Sequence, residues 1–242
     1  MSDILFSSVS RFERIISAVF PSSCVLCASK SHTHLCENCI EQFFNIRQNR
    51  CIQCAHILPS AYKAKICTDC LKTPPLFDIT ITATDYTAPC DSLVHLLKFS
   101  SQLALAPLLA KLIFNAAQNY NFEKPDILIA VPLGNRRLIE RGFNQSHEIA
   151  KTLSRLSNTP LSTDILERVR ETPPQALLTQ NERKKNVRKA FSVTKKSEVD
   201  GLHIGLVDDV LTTGETMNEL ARILKQAGVR RITNFVFARS IH

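Results

Sequence analysis

Four Cys-x-x-Cys pairs in the first third of the chain constrain its fold more than any other feature. A Cys-x-x-Cys turn directs two thiolates at one ion, and two such turns complete a tetrahedral zinc site. The sequence therefore predicts two zinc ions, and the alternative is one zinc ion with a degenerate second half. The spacing allows sequential pairing of the turns as well as a cross-braced arrangement. The predicted ligands are Cys24, Cys27, Cys36, Cys39, Cys51, Cys54, Cys67 and Cys70.

The N-terminal residues favour metal binding over disulfide formation. Arg11, Glu13 and Arg14 interrupt the apolar run there, so it lacks the uninterrupted core of a secretory signal. We therefore expect a cytoplasmic protein, in which cysteines stay reduced. We expect no transmembrane segment, because no apolar run is long enough to cross a bilayer. The spacing of apolar residues predicts an amphipathic lead-in helix over residues 1–22.

The charge of the chain is positive and unevenly placed. The formal net charge is +8, and because each four-thiolate zinc site carries a net charge of −2, two sites lower it to about +4. A basic segment over residues 181–196 predicts contacts with phosphates or nucleic acid, and a solvated helix face is the alternative. Trp is absent, so Phe143 and Phe191 are the candidates for base stacking. The candidate DNA contacts are Arg183, Lys184, Lys185, Arg188 and Lys189.

After Cys70 the composition changes to an alternation of apolar strands and amphipathic helices. Pro74 and Pro75 indicate a stiff linker, which separates a double zinc ribbon over residues 23–73 from a domain over residues 78–242. The alternation is typical of the α/β class, with a mainly parallel sheet and helices on both faces. Such sheets bind ligands at the carboxyl ends of their strands. The predicted strands are 79–86, 127–131, 203–207 and 232–238, and the predicted helices are 92–99, 103–119, 145–156 and 216–227.

The segment LVDDVLTTGET, residues 206–216, places two carboxylates after an apolar strand. We predict that this strand ends at Val207 and that a capping box from Thr216 to Glu219 opens the next helix. The loop between them offers backbone N–H groups, hydroxyls and a helix N-terminus, which together suit a phosphate. Two adjacent aspartates would repel that phosphate unless they bind hydroxyls or a metal ion. A sugar phosphate satisfies both requirements, and an ordinary polar turn is the alternative.

Two motifs give the chain a family resemblance. VDDVLTTGETM resembles the signature of the type I phosphoribosyltransferases, which hold the ribose 5-phosphate of phosphoribosyl pyrophosphate (PRPP) in this loop. A response-regulator receiver also has paired acids after a strand, but they lie near the start of that domain. The segment VPLGNRRLIERGFNQS, residues 131–146, together with the cysteine pairs and LLKF, is similar to the ComF family of competence proteins, which includes ComFC and GntX. This resemblance covers nearly the entire chain from Cys24 onward.

The resemblance implies roles for the matching positions. The paired aspartates would hold the ribose hydroxyls, directly or through magnesium, and the loop after them would hold the 5-phosphate. The implied PRPP-binding residues are Asp208, Asp209, Val210, Leu211, Thr212, Thr213, Gly214, Glu215 and Thr216. The candidates for diphosphate contact are Leu133, Gly134, Asn135, Arg136 and Arg137. The signature residues without an assigned role are Arg141, Gly142, Phe143, Asn144 and Gln145.

The resemblance also implies a PRPP-binding protein that acts in DNA uptake during natural transformation, contacting single-stranded DNA beside a helicase. Two zinc ions, and magnesium bound with PRPP, are the implied cofactors. Whether the protein is an enzyme stays open, because no segment identifies a hood that would read an acceptor base. The alternatives are an active phosphoribosyltransferase with an unidentified acceptor, a role in the use of gluconate or DNA as a nutrient, and a scaffold with a vestigial site.

Overall fold

The chain forms two compact units, residues 1–46 and residues 47–242. The boundary falls between the second and third cysteine pairs, so each unit contains two of the four pairs. The lead-in helix predicted for residues 1–22 falls outside the described residues, apart from Ser22. The computed structural model describes residues 22–45, 48–100, 102–120, 122–171 and 187–240.

The smaller unit contains a short hairpin and a helix. Strand β1 (Ser22–Ser23) pairs antiparallel with β2 (Lys30–Ser31), and helix α1 (Glu37–Phe43) follows. The first cysteine pair lies between the strands, and the second pair lies at the start of the helix. The described part of this unit, residues 22–45, is therefore built around its four cysteines.

The larger unit alternates strands and helices over most of its length, as predicted. Its helices are α2 (Thr68–Lys72), α3 (Asp91–Phe99), α4 (Leu105–Gln118), α5 (Asn135–Arg141), α6 (Gln145–Ser157) and α7 (Glu215–Gln226). Its strands are β3 (Ile79–Asp85), β4 (Ile127–Ala130), β5 (Leu161–Ser162), β6 (Leu166–Arg168), β7 (Phe191–Val193), β8 (His203–Leu211) and β9 (Arg231–Arg239). The four predicted strands and four predicted helices are thus confirmed, with small differences at most ends.

A five-stranded sheet organises the larger unit. Its strand order is β3-β9-β8-β4-β5, and every neighbouring pair runs parallel. Strands β6 and β7 form a separate antiparallel hairpin. Strand β4 (ILIA) is a continuous apolar run, as is typical of a parallel strand covered on both faces, whereas buried threonines interrupt the apolar residues of β3 and β9. The predicted α/β class with a parallel sheet is therefore confirmed.

Helices cover both faces of this sheet. Phe235 of β9 lines a cavity together with Phe114 of α4 and Leu153 of α6. Its neighbour Val236 packs instead in the cluster that contains Leu220 of α7. Because successive side chains of a strand point to opposite faces, α4 and α6 lie on one face of the sheet and α7 lies on the other.

Strand β8 is longer than predicted, and the predicted capping box is wrong. The strand continues to Leu211 because β9 continues beside it, with Leu211 paired to Arg239. Helix α7 then begins after Gly214, whose φ of +81° suits glycine. Thr216 lies inside the helix, and the carboxylate of Glu219 accepts a hydrogen bond from the Lys189 N–H at 2.8 Å. The aspartates therefore belong to the strand itself.

In the part of the chain that the structure describes, no helix is both long enough and apolar enough to cross a membrane.

Candidate functional site

The eight cysteines of the four pairs form two clusters, and each cluster joins consecutive pairs. Within each cluster all four Sγ atoms lie within 4.8 Å of one another. The Sγ atoms of Cys27 and Cys36 are 3.6 Å apart, as are those of Cys54 and Cys67. Tetrahedral zinc with Zn–S bonds of about 2.3 Å requires S–S separations of roughly 3.8 Å. Both four-cysteine sites are compatible with zinc, and the structure pairs the turns sequentially.

The two clusters, which we call the first and second ribbon, have the same local backbone structure. In each, an alanine follows the leading Cys-x-x-Cys pair in a left-handed conformation, Ala28 with φ of 59° and Ala55 with φ of 58°. The alanine N–H donates to the carbonyl of the leading cysteine at 2.8 Å in both ribbons. The trailing pair begins a helix in each case, with Cys36 before α1 and Cys67 before α2. The Cys-x-x-Cys-Ala repeat in the sequence was the available signal for this duplication.

The paired aspartates are held by two other elements of the larger unit. Asp209 is 3% exposed, and its Oδ2 forms an ion pair with the Nζ of Lys98 from α3. Asp208 accepts hydrogen bonds at Oδ1 from the hydroxyl of Ser146 at 2.7 Å and from the Asp209 N–H at 2.9 Å. Burial, and then the charge of Asp209, raise the pKa of Asp208 to about 7. A cation or a hydroxyl-bearing ligand would relieve this crowding of negative charge.

The signature segment after α5 orients Ser146 towards Asp208. Asn144 caps α6, because its Oδ1 accepts from the Ser146 N–H at 3.0 Å, and its Nδ2 donates to the Val131 carbonyl at 3.0 Å. The Arg141 guanidinium donates to the Gln145 side chain. These contacts supply the roles that spacing alone did not give to Asn144 and Gln145. Ser146 ends the quoted motif, but its hydroxyl was not predicted as a site group.

An exposed aromatic ring lies beside this segment. Phe99 at the end of α3 is 68% exposed, and the Arg141 guanidinium carbon lies 5.6 Å from its ring centroid. Burial lowers the pKa of Arg141, while the charge of Asp209 acts in the opposite direction. Lys98 and Phe99 both belong to the LLKF segment, so that segment supplies the lysine that meets Asp209. The sequence indicated LLKF only as part of the family pattern.

The loop between β8 and α7 contains a buried hydroxyl without a partner. The Oγ1 of Thr213 is buried and makes no hydrogen bond within the described residues. Such a group costs about 1–3 kcal/mol unless a ligand or water satisfies it. It lies beside the first turn of α7, where free N–H groups favour an anion. The loop for which a phosphate was predicted thus contains a buried, unpartnered hydroxyl beside a helix N-terminus.

The segment predicted to contact a diphosphate is already engaged by a carboxylate. Leu133 and Gly134 follow β4, and α5 begins at Asn135. The Arg136 N–H donates to Oε1 of Glu171 at 3.1 Å. A Cβ on Gly134 would lie 2.6 Å from Oε2 of the same glutamate, so a larger residue there would displace this carboxylate. Glu171 was not predicted as a site residue.

The basic segment is described only in part. Arg183, Lys184 and Lys185 lie outside the described residues, whereas Arg188 and Lys189 are exposed. The Arg188 carbonyl accepts a hydrogen bond from the Arg170 guanidinium at 2.8 Å.

The two phenylalanines predicted to stack on bases differ in exposure. Phe191 is only 5% exposed and packs in the core, so its prediction as a stacking residue is wrong. Apolar packing against α7 accounts for this burial, which the isolated segment does not show. Phe143 is half-buried.

Comparison with known proteins gives consistent matches over both parts of the chain. A family model described as "Double zinc ribbon domain" matches residues 15–71, and one described as "Phosphoribosyl transferase domain" matches residues 100–242. The DNA utilization protein YhgH of Salmonella typhimurium is 34% identical over 228 residues, which cover 91% of this chain and 98% of that protein. Competence protein F of Haemophilus influenzae is 32% identical over 229 residues, with the same two coverages. A solved structure described as the allosteric regulatory enzyme of purine biosynthesis superposes with a TM-score of 0.36 and 20% identity, covering 54% of this chain and 25% of that chain.

Proposed function

The chain belongs to the ComF family, in which a double zinc ribbon precedes a phosphoribosyltransferase domain, and we propose that it binds PRPP with magnesium and acts in DNA uptake or use. The observation that carries the PRPP proposal is the presence of two features within one short segment, residues 208–213. One is the acidic pair, in which Asp208 is half-buried and Asp209 is buried, and the other is the unpartnered hydroxyl of Thr213. A ribose with a 5-phosphate would bind the acidic pair through its hydroxyls and the Thr213 hydroxyl through its phosphate.

The acidic pair would bind the ribose hydroxyls or magnesium. Ser146 and Lys98 hold one carboxylate each, which fixes the orientation of both before a ligand arrives. Carboxylate oxygens and phosphates are the ligands that Mg²⁺ prefers, so a bound magnesium would supply charge neutralisation for the diphosphate. The Thr213 hydroxyl and the N–H groups at the start of α7 would receive the 5-phosphate.

The diphosphate would contact the start of α5, residues 133–137. Its oxygens would replace the Glu171 carboxylate at the Arg136 N–H, because both groups are anionic acceptors. Arg137 is half-buried and would contribute positive charge. Arg136 already pairs with Glu140 on the exposed face of α5 at 2.8 Å, so we expect it to contribute less.

The proposal for DNA rests on the relatives and on the basic segment. Relatives bear the names DNA utilization protein and competence protein F. We propose that single-stranded DNA in the cytoplasm, delivered beside a helicase, contacts Arg188 and Lys189 together with Arg183, Lys184 and Lys185. Because such contacts release counterions from phosphates, the affinity for DNA should fall steeply as salt rises.

An active phosphoribosyltransferase with an unidentified acceptor is the second candidate, and the match of residues 100–242 to the family model described as "Phosphoribosyl transferase domain" favours it. A screen for diphosphate release in the presence of nucleobases, amines and nucleic acids tests it. Turnover of PRPP that an acceptor accelerates would establish the enzyme.

Titration calorimetry with Mg²⁺ and PRPP tests the binding proposal, with ribose 5-phosphate as the comparison ligand. We expect wild-type protein to bind PRPP and the double variant Asp208→Asn/Asp209→Asn to lose at least about a hundredfold in affinity, since charged hydrogen bonds contribute about 1.5–3 kcal/mol each. Asp200→Asn is the matched control, because Asp200 is exposed near the other end of β8. Unchanged binding by the double variant would overturn the assignment of the acidic pair.

A further inference from the structure

Arg239, the last residue of β9, connects the second ribbon to the phosphate loop. Its Nε donates to the carbonyl of Cys54 at 2.8 Å. Its Nη1 donates to the carbonyl of Leu211 at 3.2 Å and also to the carbonyl of Thr212. Cys54 belongs to the second four-cysteine cluster, and Leu211 and Thr212 lead into the loop. One guanidinium therefore contacts both sites.

The surroundings of Arg239 make these contacts unfavourable to lose. Arg239 is half-buried, and its guanidinium donates to the backbone carbonyls of Cys54, Leu211, Thr212 and Ser240. A guanidinium that is largely withdrawn from solvent must keep its hydrogen-bond partners, because an unpaired charge is unfavourable there. Loss of the Cys54 carbonyl would thus leave Arg239 without one of its acceptors. We expect the side chain to move, and the loop carbonyls it holds to move with it.

A cavity of about 830 Å³ separates the second ribbon from the loop and is lined by both. Its lining includes Cys54, Cys70, Phe77, Thr213, Gly214 and Arg239. Thr213 carries the unpartnered hydroxyl, so the space beside the phosphate loop is also bounded by residues of the zinc cluster. The ribbon thus forms part of the wall around the proposed phosphate site.

Backbone contacts hold the second ribbon against the same sheet. The Thr80 N–H of β3 donates to the Ile52 carbonyl at 2.9 Å. The Ser240 N–H donates to the Leu211 carbonyl at 2.9 Å, which fixes the end of β9 to the end of β8. The second ribbon therefore contacts the start of β3 through Ile52 and the end of β9 through Cys54.

We propose that Arg239 is a positioning residue through which zinc in the second ribbon sets the affinity of the loop for PRPP. This inference rests on the proposed function, because it concerns the same phosphate loop. Coupling between two binding sites is reciprocal. PRPP must then strengthen the retention of zinc in the second ribbon by the same factor, and we expect no such effect on zinc in the first ribbon.

Zinc release from the wild-type protein is the first test. A chromogenic chelator is added with Mg²⁺ alone, with Mg²⁺ and PRPP, or with Mg²⁺ and PRPP using the Asp208→Asn/Asp209→Asn variant. We expect PRPP to slow the release of one of the two zinc equivalents from the wild type. In the Asp208→Asn/Asp209→Asn variant, we expect PRPP to slow the release of neither equivalent. The variant Cys24→Ser/Cys27→Ser, which keeps the second ribbon intact, should retain the effect. Equal release with and without PRPP would overturn the proposal, provided that calorimetry shows PRPP binding.

Substitution of Arg239 is the second test. We expect Arg239→Met to weaken PRPP binding about tenfold at a temperature where the variant is folded. Arg239→Lys should restore part of the affinity, because lysine keeps the charge but not the planar fork. Arg231→Met, at the opposite end of β9, is the matched control and should leave affinity unchanged.

Failure of the inference about Arg239 can be distinguished from failure of the proposed PRPP binding. A lower melting temperature with unchanged PRPP affinity in Arg239→Met would show a purely structural role and overturn the inference. Absence of PRPP binding by the wild type would instead overturn the proposed function. If Arg239→Met does not fold, the zinc-release experiment on the wild type still decides the inference.

Discussion

The first and second ribbons have nearly the same local structure and different surroundings. Each has a left-handed alanine after its leading cysteine pair and a helix at its trailing pair. In the first ribbon Cys27 is exposed, whereas in the second ribbon three cysteines are buried and Cys54 is partly buried. The first ribbon lies in the unit of residues 1–46, and the second lies in the unit that contains the sheet. The same metal-binding motif therefore forms part of the smaller unit as the first ribbon and part of the sheet-containing unit as the second ribbon.

Specific contacts account for the difference. The Arg50 guanidinium donates to the Asp85 carboxylate at 2.8 Å and to the Ala55 carbonyl at 3.0 Å. Both ion-pair side chains are mostly buried, at 10% and 12% exposure. Arg239 adds the contact to Cys54. The free energy of folding of the second ribbon is consequently shared with the sheet.

Removal of the zinc ligands should give the largest difference between the ribbons. Structural zinc contributes roughly 10–16 kcal/mol in zinc-finger peptides, comparable to the whole stability of a typical domain. We expect Cys51→Ser/Cys54→Ser to lower the melting temperature of the main transition by at least about 10 °C and to abolish PRPP binding. Cys24→Ser/Cys27→Ser should lose one zinc ion and leave both quantities unchanged. Calorimetry with zinc analysis measures both quantities, and equal effects of the two variants would show that the two ribbons contribute equally to the larger unit.

The buried ion pair should give the next largest effect. We expect Arg50→Met to destabilise the larger unit by about 3 kcal/mol, because it leaves the Asp85 carboxylate buried without its partner. The double variant Arg50→Met/Asp85→Leu should recover most of that loss. Urea unfolding of the three proteins measures the coupling. A cost below about 0.5 kcal/mol for Arg50→Met would show that the ribbon is attached mainly by other contacts.

Substitutions that remove contacts of the linker after the second ribbon should have the smallest effect on stability. Lys225 of α7 pairs with Asp78 at 3.2 Å, and both side chains are about one-third exposed or more. We expect Lys225→Met to cost less than about 1 kcal/mol. Asp78→Ala should cost more, since the same Oδ2 also accepts from the Ile232 N–H at 2.8 Å. Thermal denaturation compares the stability of the two variants. A larger loss for Lys225→Met than for Asp78→Ala would show that the ion pair, not the backbone contact, fixes the linker.

The order of strands and helices was largely predictable from the sequence. Apolar runs and helical spacing located β3, β4, β9 and the long helices, because periodicity is a local property of the chain. The end of β8 was not predictable, since its last residues are strand only by pairing with β9. The capping box at Thr216 failed for a related reason: the start of α7 is set by the turn at Gly214.

The candidate site, like the fold, was only partly predictable from the sequence. The acidic pair and the hydroxyl loop stand together in one motif, so the sequence located them. Lys98 and Ser146 lie far away in the chain and meet the aspartates only when α3 and α6 pack on the sheet. A short motif carries no signal for such contacts.

The donors and their number could be read from the sequence alone: eight thiolates in four turns, two carboxylates, and one loop of hydroxyls and glycine. These follow from residue chemistry and short-range spacing. The folded structure was needed to show that consecutive turns share a site and that the second ribbon lies against the sheet. It alone brought Arg239 to both Cys54 and the loop. Those outcomes depend on contacts between residues distant in the chain, and packing, not local periodicity, selects such contacts.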